Sequence, residues 1–255
     1  MLEDLLLPLK LDFTKAILCP LQGNGIGHIF EISPEDFLNF AKQDFKEGTK
    51  KGLVNSLTNC KRAIDCSIDK ILETFGFGVE VNPNIPKELI ANFTFKHYDL
   101  PFKLKLIESL GITTGKVLAD IRTSRHQLEH YYRVPSETEV IEAIDTAKMF
   151  ISLVQSKLYI FEDQYIITDE KNVVGDLKFK NRLTFDFYAD RKEFWVTNNL
   201  SDNKLVFTSK DLEYSILIRL TNSIQDRYDL IDTFHFLLKT IGYPIPKKNV
   251  NIKAM

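Results

Sequence analysis

From Leu53 to Phe75 apolar residues recur at helical spacing with no proline: Leu53, Val54, Leu57, Cys60, Ile64, Ile68, Ile71, Leu72 and Phe75. The pattern predicts one long amphipathic helix, which must bury its stripe against other helices. The glycines at 76 and 78, then Asn82-Pro83-Asn84-Ile85-Pro86, end it. Upstream, Ser33-Pro34-Glu35-Asp36 is a helix start: a serine cap, proline at the first helical position and acids at the positive end of the dipole. That helix should run to about Glu47. Downstream, short helices are expected near Pro86 to Phe93 and Pro101 to Leu110. Thr113 or Thr114 can cap a further helix through Val117, Leu118, Ile121, Leu128 and Tyr132, ending before Pro135. Ser136-Glu137-Thr138-Glu139 then reads as a capping box opening a helix through Val140, Ile141, Ile144, Ala147, Met149, Phe150 and Val154. Residues 33–160 are thus expected to form an antiparallel helical bundle.

Near residue 160 the period changes. Tyr159 to Ile167, Leu177 to Phe187, Phe194 to Thr197 and Leu205 to Phe207 are short β-rich segments separated by polar turns. They predict a small antiparallel sheet, followed by helices from Ser209-Lys210-Asp211 to about Asn222 and from Asp226 to Thr240. The aromatics Tyr159, Tyr165, Phe185, Phe187, Tyr188, Phe194 and Trp195 read as one sheet side packed on those helices, with single-stranded RNA stacking as the alternative. The fold class is α+β, with residues 161–255 as the second domain and residues 1–32 as an N-terminal arm or hairpin. Within that arm, Gly23-Asn24-Gly25-Ile26-Gly27 lacks the spacing of a dinucleotide or phosphate loop and reads as a turn.

Composition limits the function classes. A net charge of −2 argues against non-specific coating of nucleic acid, and no apolar run reaches the ~20 residues of a membrane span. The N-terminus lacks the positive charge of a signal peptide, so a soluble, cytoplasmic chain with no membrane partner is expected. The cysteines, Cys19, Cys60 and Cys66, form no closely spaced doublet, and Cys19 with His28 is too sparse a pair for a metal centre. No metal and no cofactor are expected. His28, His97 and His235 read as packing or surface groups.

Chemistry concentrates in Arg122-Thr123-Ser124-Arg125-His126-Gln127-Leu128-Glu129-His130-Tyr131-Tyr132-Arg133. On a helix His126 and His130 lie one turn apart and share a face with Arg122, while Arg125 sits about 140° around from His130. Glu129 can pair with Arg125 or Arg122. From Lys96 to Arg133 there are seven Lys or Arg against four Asp or Glu, so a phosphate is tolerated here. Imidazole can move a proton near neutral pH, and guanidinium matches a phosphate bidentately. These are the parts of a metal-free ribonuclease, with His130 as acid or base, Arg125 on the scissile phosphate, His126 supporting geometry and Arg122 positioning the backbone. One pair is half a site, and a symmetric dimer supplies the other half. The competing reading is a solvated helix end in which cations favour the dipole.

Arginine, a polar residue, three more residues and histidine, late in the third long helix of a bundle, resembles the motif of the HEPN superfamily. Lys61-Arg62-Ala63-Ile64-Asp65 and the Ser136 to Ile151 segment resemble that superfamily's supporting helices. The likeness spans roughly residues 33–158 and leaves the C-terminal α+β part unassigned. It implies a homodimer with metal-independent endoribonuclease activity in toxin-antitoxin, phage-defence or RNA-processing systems, with Arg125, His126 and His130 as site residues. Asparagine is the commonest residue after the motif arginine, whereas this chain carries His126. His130-Tyr131-Tyr132 also resembles the ending of HEPN toxins paired with minimal nucleotidyltransferases, which implies Tyr132 as an adenylylation acceptor and an antitoxin or nucleotidyltransferase partner. The alternative within the same family is a non-catalytic module that binds a nucleotide, RNA or a protein.

Overall fold

The computed structural model, which describes residues 2–80, 87–94, 100–113, 133–243 and 245–255, forms the helix starts read at Ser33, Ser136, Asp211 and Asp226. Its eight described α-helices are α1 (Leu2–Leu6), α2 (Pro34–Lys46), α3 (Lys50–Thr74), α4 (Lys87–Phe93), α5 (Phe102–Ser109), α6 (Glu137–Tyr159), α7 (Leu212–Asn222) and α8 (Arg227–Thr240). The strands are β1 (Ala16–Gln22), β2 (Gln164–Asp169), β3 (Val173–Gly175), β4 (Lys178–Phe179), β5 (Leu183–Tyr188), β6 (Glu193–Asn198), β7 (Lys204–Thr208) and β8 (Ile252–Ala254). Two compact units result, one of Met1–Ile26, Asn82–Ala91 and Tyr159–Met255, the other of Gly27–Val81 and Asn92–Leu158. The helix expected over 113–132 lies outside the described residues.

The long described helices of the second unit, α2, α3 and α6, each start on a side-chain cap. For α2, the Ser33 hydroxyl accepts the Asp36 N–H, and the Asp36 carboxylate accepts the Ser33 N–H in return. Thr49 accepts the Gly52 N–H at 2.9 Å to open α3. Gly52 itself is required by space, since a Cβ there would stand 2.4 Å from the Asp44 carbonyl oxygen as α2 ends against α3. From Leu57 on, the predicted stripe of α3 is the buried one, with Leu57, Cys60, Ile64, Ile68, Ile71 and Leu72 in the core, while at its start Leu53 is only partly buried and Val54 is exposed. Helix α6, opened by Ser136, buries Val140, Ala147, Phe150, Ile151, Val154 and Leu158 at the same spacing. Asn59 donates to Asp44 at 2.8 Å, and Lys103 of α5 pairs with Asp69 of α3 at 2.8 Å.

The first unit is built on a six-stranded sheet ordered β7-β6-β5-β2-β1-β8. Most neighbours are antiparallel, but β8 runs parallel to β1, with Ala16 opposite Ile252 and Leu18 opposite Ala254. The expectation of a small, purely antiparallel sheet is therefore corrected: the sheet is mixed, and strands from both chain ends enter it. Within the N-terminal residues, Ala16–Gln22 supplies β1 of this sheet. Ala16, Ile17, Leu18 and Cys19 are all buried, so β1 shows no polar alternation for a period-two reading to detect. Leu2, Leu5, Leu6 and Leu9 join the core, where the Asn198 amide donates to the Leu5 carbonyl at 2.8 Å.

Helix α7 packs on β6 and β7, and α8 packs on α7 and β8. Every residue of α7 from Tyr214 to Thr221 is buried, the signature of a helix covered on all sides. One of these is Arg219, which pairs with Asp229 at 2.9 Å and donates to Thr233 Oγ1 at 3.1 Å, pinning α7 to α8. No helix among the described residues is long and apolar enough to cross a membrane.

Candidate functional site

The residues that the sequence nominates, Arg122, Arg125, His126, Glu129, His130 and Tyr132, lie outside the described residues. Description of the chain resumes at Arg133, directly after them. Arg133 donates to both oxygens of Glu139, at 3.1 Å through Nη1 and in close contact through Nη2. The Ser136 N–H and hydroxyl donate to Glu139 Oε2 at 2.8 and 3.0 Å, and the Ser136 hydroxyl accepts the Glu139 N–H at 3.3 Å. Arg133 is thus engaged by the capping box of α6. Of the supporting segment on α3, Ala63 and Ile64 are core residues, and Lys61 and Arg62 lie toward solvent.

This cap makes a pH prediction. The Arg133 guanidinium, then the Ser136 N–H, hold the Glu139 carboxyl below its ordinary 4.5, at about 2. The folded chain therefore binds this proton less readily than the unfolded chain does. The contribution is complete above the ordinary carboxylate range and fades as pH falls from about 4.5 toward 2. Ser136→Ala should cost about 1 kcal/mol by urea unfolding at neutral pH. An acid titration of Glu139 followed by carboxyl NMR should show its midpoint near the depressed value. An ordinary midpoint would show that the pair does not persist in solution.

In the same unit, Asp65, Ile68, Asp69, Val79, Phe102 and Lys103 line a hollow of about 650 Å³ that Glu80 also borders. Three carboxylates there face one ammonium already paired with Asp69, so the hollow repels rather than attracts a phosphodiester.

The cysteines are shielded thiols. Burial pushes Cys60 up to about 12, and burial with the Asp69 charge pushes Cys66 up to about 11. Cys60 and Cys19 are buried while Cys66 is partly open, its thiol 3.6 Å from the Ile32 carbonyl. Native protein should therefore react slowly with a thiol reagent at Cys66 alone, with Cys19 and Cys60 following on denaturation. Rapid labelling of Cys60 in the folded state would contradict this packing. Among the described residues no group of three His, Cys, Asp or Glu is placed to hold a metal ion.

The sheet of the first unit presents a second candidate. Strand pairing sets Gln164, Asp186, Trp195 and Val206 in one cross-strand row, and Tyr188, Glu193 and Thr208 in the next on the same face. Tyr165, Phe185, Phe187 and Phe194 point the other way, into the core against α7. There Tyr165 stacks on Phe185 at 4.8 Å and Phe194 meets Tyr214 at 5.6 Å. The expectation that the aromatics share one side is corrected, because residues 187 and 188, like 194 and 195, fall on opposite faces by strand alternation. Tyr159 is no strand residue; it ends α6 and is exposed.

On the outer face the β3–β4 hairpin lays Phe179 and Val173 over Cys19 and Ile166. Farther along the same face, toward β7, Tyr188 and Val206 remain exposed. The Trp195 ring lies 4.3 Å from Tyr188, its indole N–H donates to Glu193 at 2.9 Å, and Lys204 Nζ and Arg191 Cζ stand 3.3 and 5.1 Å from its centre. Asp186, opposite Trp195, accepts from Gln164 at 2.5 Å; burial, then the neighbouring Asp163 charge, raise its affinity for a proton. Glu162 is raised by the same two causes, and Asp163 accepts the Asn24 amide at 2.7 Å. The sequence reading missed these carboxylates, whose only linear signal is the adjacent Glu162-Asp163 pair. His235, read from the sequence as a packing or surface group, borders with Lys239 and Tyr243 an open hollow of about 520 Å³, where its Nε2 lies 3.2 Å from the Ile245 carbonyl oxygen.

No family model, no curated protein and no solved structure matches this chain.

Proposed function

We propose that the chain is a metal-independent endoribonuclease of HEPN type that works as a homodimer, with Arg125 and His130 as catalytic residues. The observation that carries the reading is the Arg125 to His130 spacing in a stretch that also supplies Arg122, His126 and Glu129. Support comes from the chain on either side: α2 and α3 pack together before it, and a capped, core-facing α6 begins four residues after Arg133.

In this mechanism His130 takes the proton of the ribose 2′-hydroxyl or returns one to the leaving 5′-oxygen. Arg125 neutralises charge gathering on the phosphate oxygens, and His126 holds their geometry. Arg122, with Glu129 limiting its motion, positions the RNA backbone. The 2′-oxygen attacks phosphorus as the 5′-oxygen departs, leaving a 2′,3′-cyclic phosphate and a 5′-hydroxyl. A dimer brings two copies of the pair to one phosphodiester, so that one imidazole serves as base and the other as acid.

The test is cleavage of single-stranded RNA by purified chain in excess chelator, with the ends of the products identified. Cyclic phosphate ends formed without metal are expected. Binding without turnover would replace the nuclease with a non-catalytic RNA- or protein-binding module. Adenylylation of Tyr132 by a partner nucleotidyltransferase, and a role in toxin-antitoxin or phage-defence systems, extend the same proposal.

A further inference from the structure

We propose that the outer face of the sheet, at Trp195, Tyr188, Val206, Arg191 and Lys204, binds a short segment of single-stranded RNA. Trp195 is the chain's one tryptophan, and it stands on the sheet face that does not carry the aromatic core. The core does not require it: Tyr165, Phe185 and Phe194 fill the inner side and are fully buried. On the outer side the β3–β4 hairpin covers Cys19 and Ile166, leaving Tyr188 and Val206 at 39% and 43% exposure.

Three properties of the patch select its occupant. The first is aromatic surface: two adjoining rings, tilted 43° to one another, offer π faces on which unpaired bases can stack whatever their sequence. The second is orientation, because the indole N–H is held by Glu193, which keeps the ring in place. The third is charge. Arg191 and Lys204 stand at the ring with no carboxylate partner among the described residues, while the two acids of the outer face beside it are turned to other groups, Glu193 to the indole and Asp186 to Gln164. A polyanion carrying planar groups completes this set. A base stacks on Trp195 as the flexible Lys204 swings off the ring, and the freed ammonium and Arg191 meet the phosphates on either side. A duplex hides its base faces, and an acidic peptide would answer the cations without using the rings. The choice of RNA over DNA rests on the cleavage reading of the Arg125–His130 motif, whereas the patch itself is independent of it.

Because Trp195 is the sole tryptophan, its fluorescence reports on the patch directly. The full-length chain is titrated with a short 2′-O-methylated uridine oligonucleotide, which lacks the attacking hydroxyl and so separates binding from cleavage. Saturable quenching is expected. A fluorescein-labelled form of the same oligonucleotide should lose affinity by roughly 5- to 150-fold with Trp195→Ala and be largely rescued by Trp195→Phe. Lys204→Glu, a change on an exposed side chain that the core does not use, should weaken binding and reduce its salt dependence. An unquenched tryptophan would overturn the proposal, as would affinities unchanged in both Trp195→Ala and Lys204→Glu. Equal affinity for uridine monophosphate, or preference for a duplex, would also overturn it. Quenching in a chain that cuts no RNA would sink the nuclease and leave this site standing; cutting without quenching would do the reverse.

Discussion

Replacing His130 by alanine should slow metal-free RNA cleavage by roughly 10²- to 10⁴-fold, the range set by removing a positioned acid or base. Arg125→Ala should do comparable damage for a different reason. It withdraws the fixed positive fork from the phosphate at the moment when charge gathers on its oxygens, and Arg125→Lys should recover little because an ammonium cannot offer two parallel donors. Subunit mixing separates a shared site from a private one. Inactive His130→Ala chain exchanged into wild-type dimer should depress activity as the square of the wild-type fraction if both protomers contribute to one phosphodiester. A linear decline would place a complete site in each chain. Gel-based cleavage with single-turnover rates measures each of these effects. Full activity in both alanine variants would remove the catalytic assignment.

Phe194→Ala should destabilise the first unit by about 3 to 5 kcal/mol, whereas Trp195→Ala, one residue along the same strand, should cost roughly 1 kcal/mol. Phe194 is fully buried and meets Tyr165, Phe187 and Tyr214, so truncation leaves a cavity that the surrounding rings cannot close. Trp195, on the outer face, loses its indole hydrogen bond to Glu193, its cross-strand contact with Tyr188 and the approach of two cations, without opening a core cavity. Since a whole domain is held by about 5 to 15 kcal/mol, the first variant should show a lowered unfolding midpoint and increased proteolysis, and the second should behave nearly as wild type. Urea unfolding followed by circular dichroism measures both. Equal losses would mean that the strand faces are assigned the wrong way round.

The contrast between those neighbours marks where linear reading stops. Periodicity and cap chemistry are local, so Ser33-Pro34-Glu35-Asp36, the stripe from Leu53 to Phe75 and the Ser136–Glu139 box could be read before any coordinates; the two caps appear as read, and the stripe does so except at Val54, which is exposed. The candidate nuclease residues were legible for the same reason, as a short run of chemically distinctive side chains at fixed spacing. Sheet membership is not local. Ala16 to Cys19 and Ile252 to Ala254 join one sheet across nearly the whole chain length, and nothing in either segment encodes its partner.

The sequence by itself determined the capped helices α2, α3 and α6 and carried the imidazole–guanidinium motif, because hydrogen-bonded caps and a 3.6-residue period depend only on near neighbours, whereas the short α1 inside the expected arm went unread. Tertiary structure alone decided that the sheet is mixed and that Trp195 faces outward beside Arg191 and Lys204 while Phe194 faces in. Which face of a strand is buried depends on what the rest of the chain packs against it, here α7 on one side and the β3–β4 hairpin over part of the other.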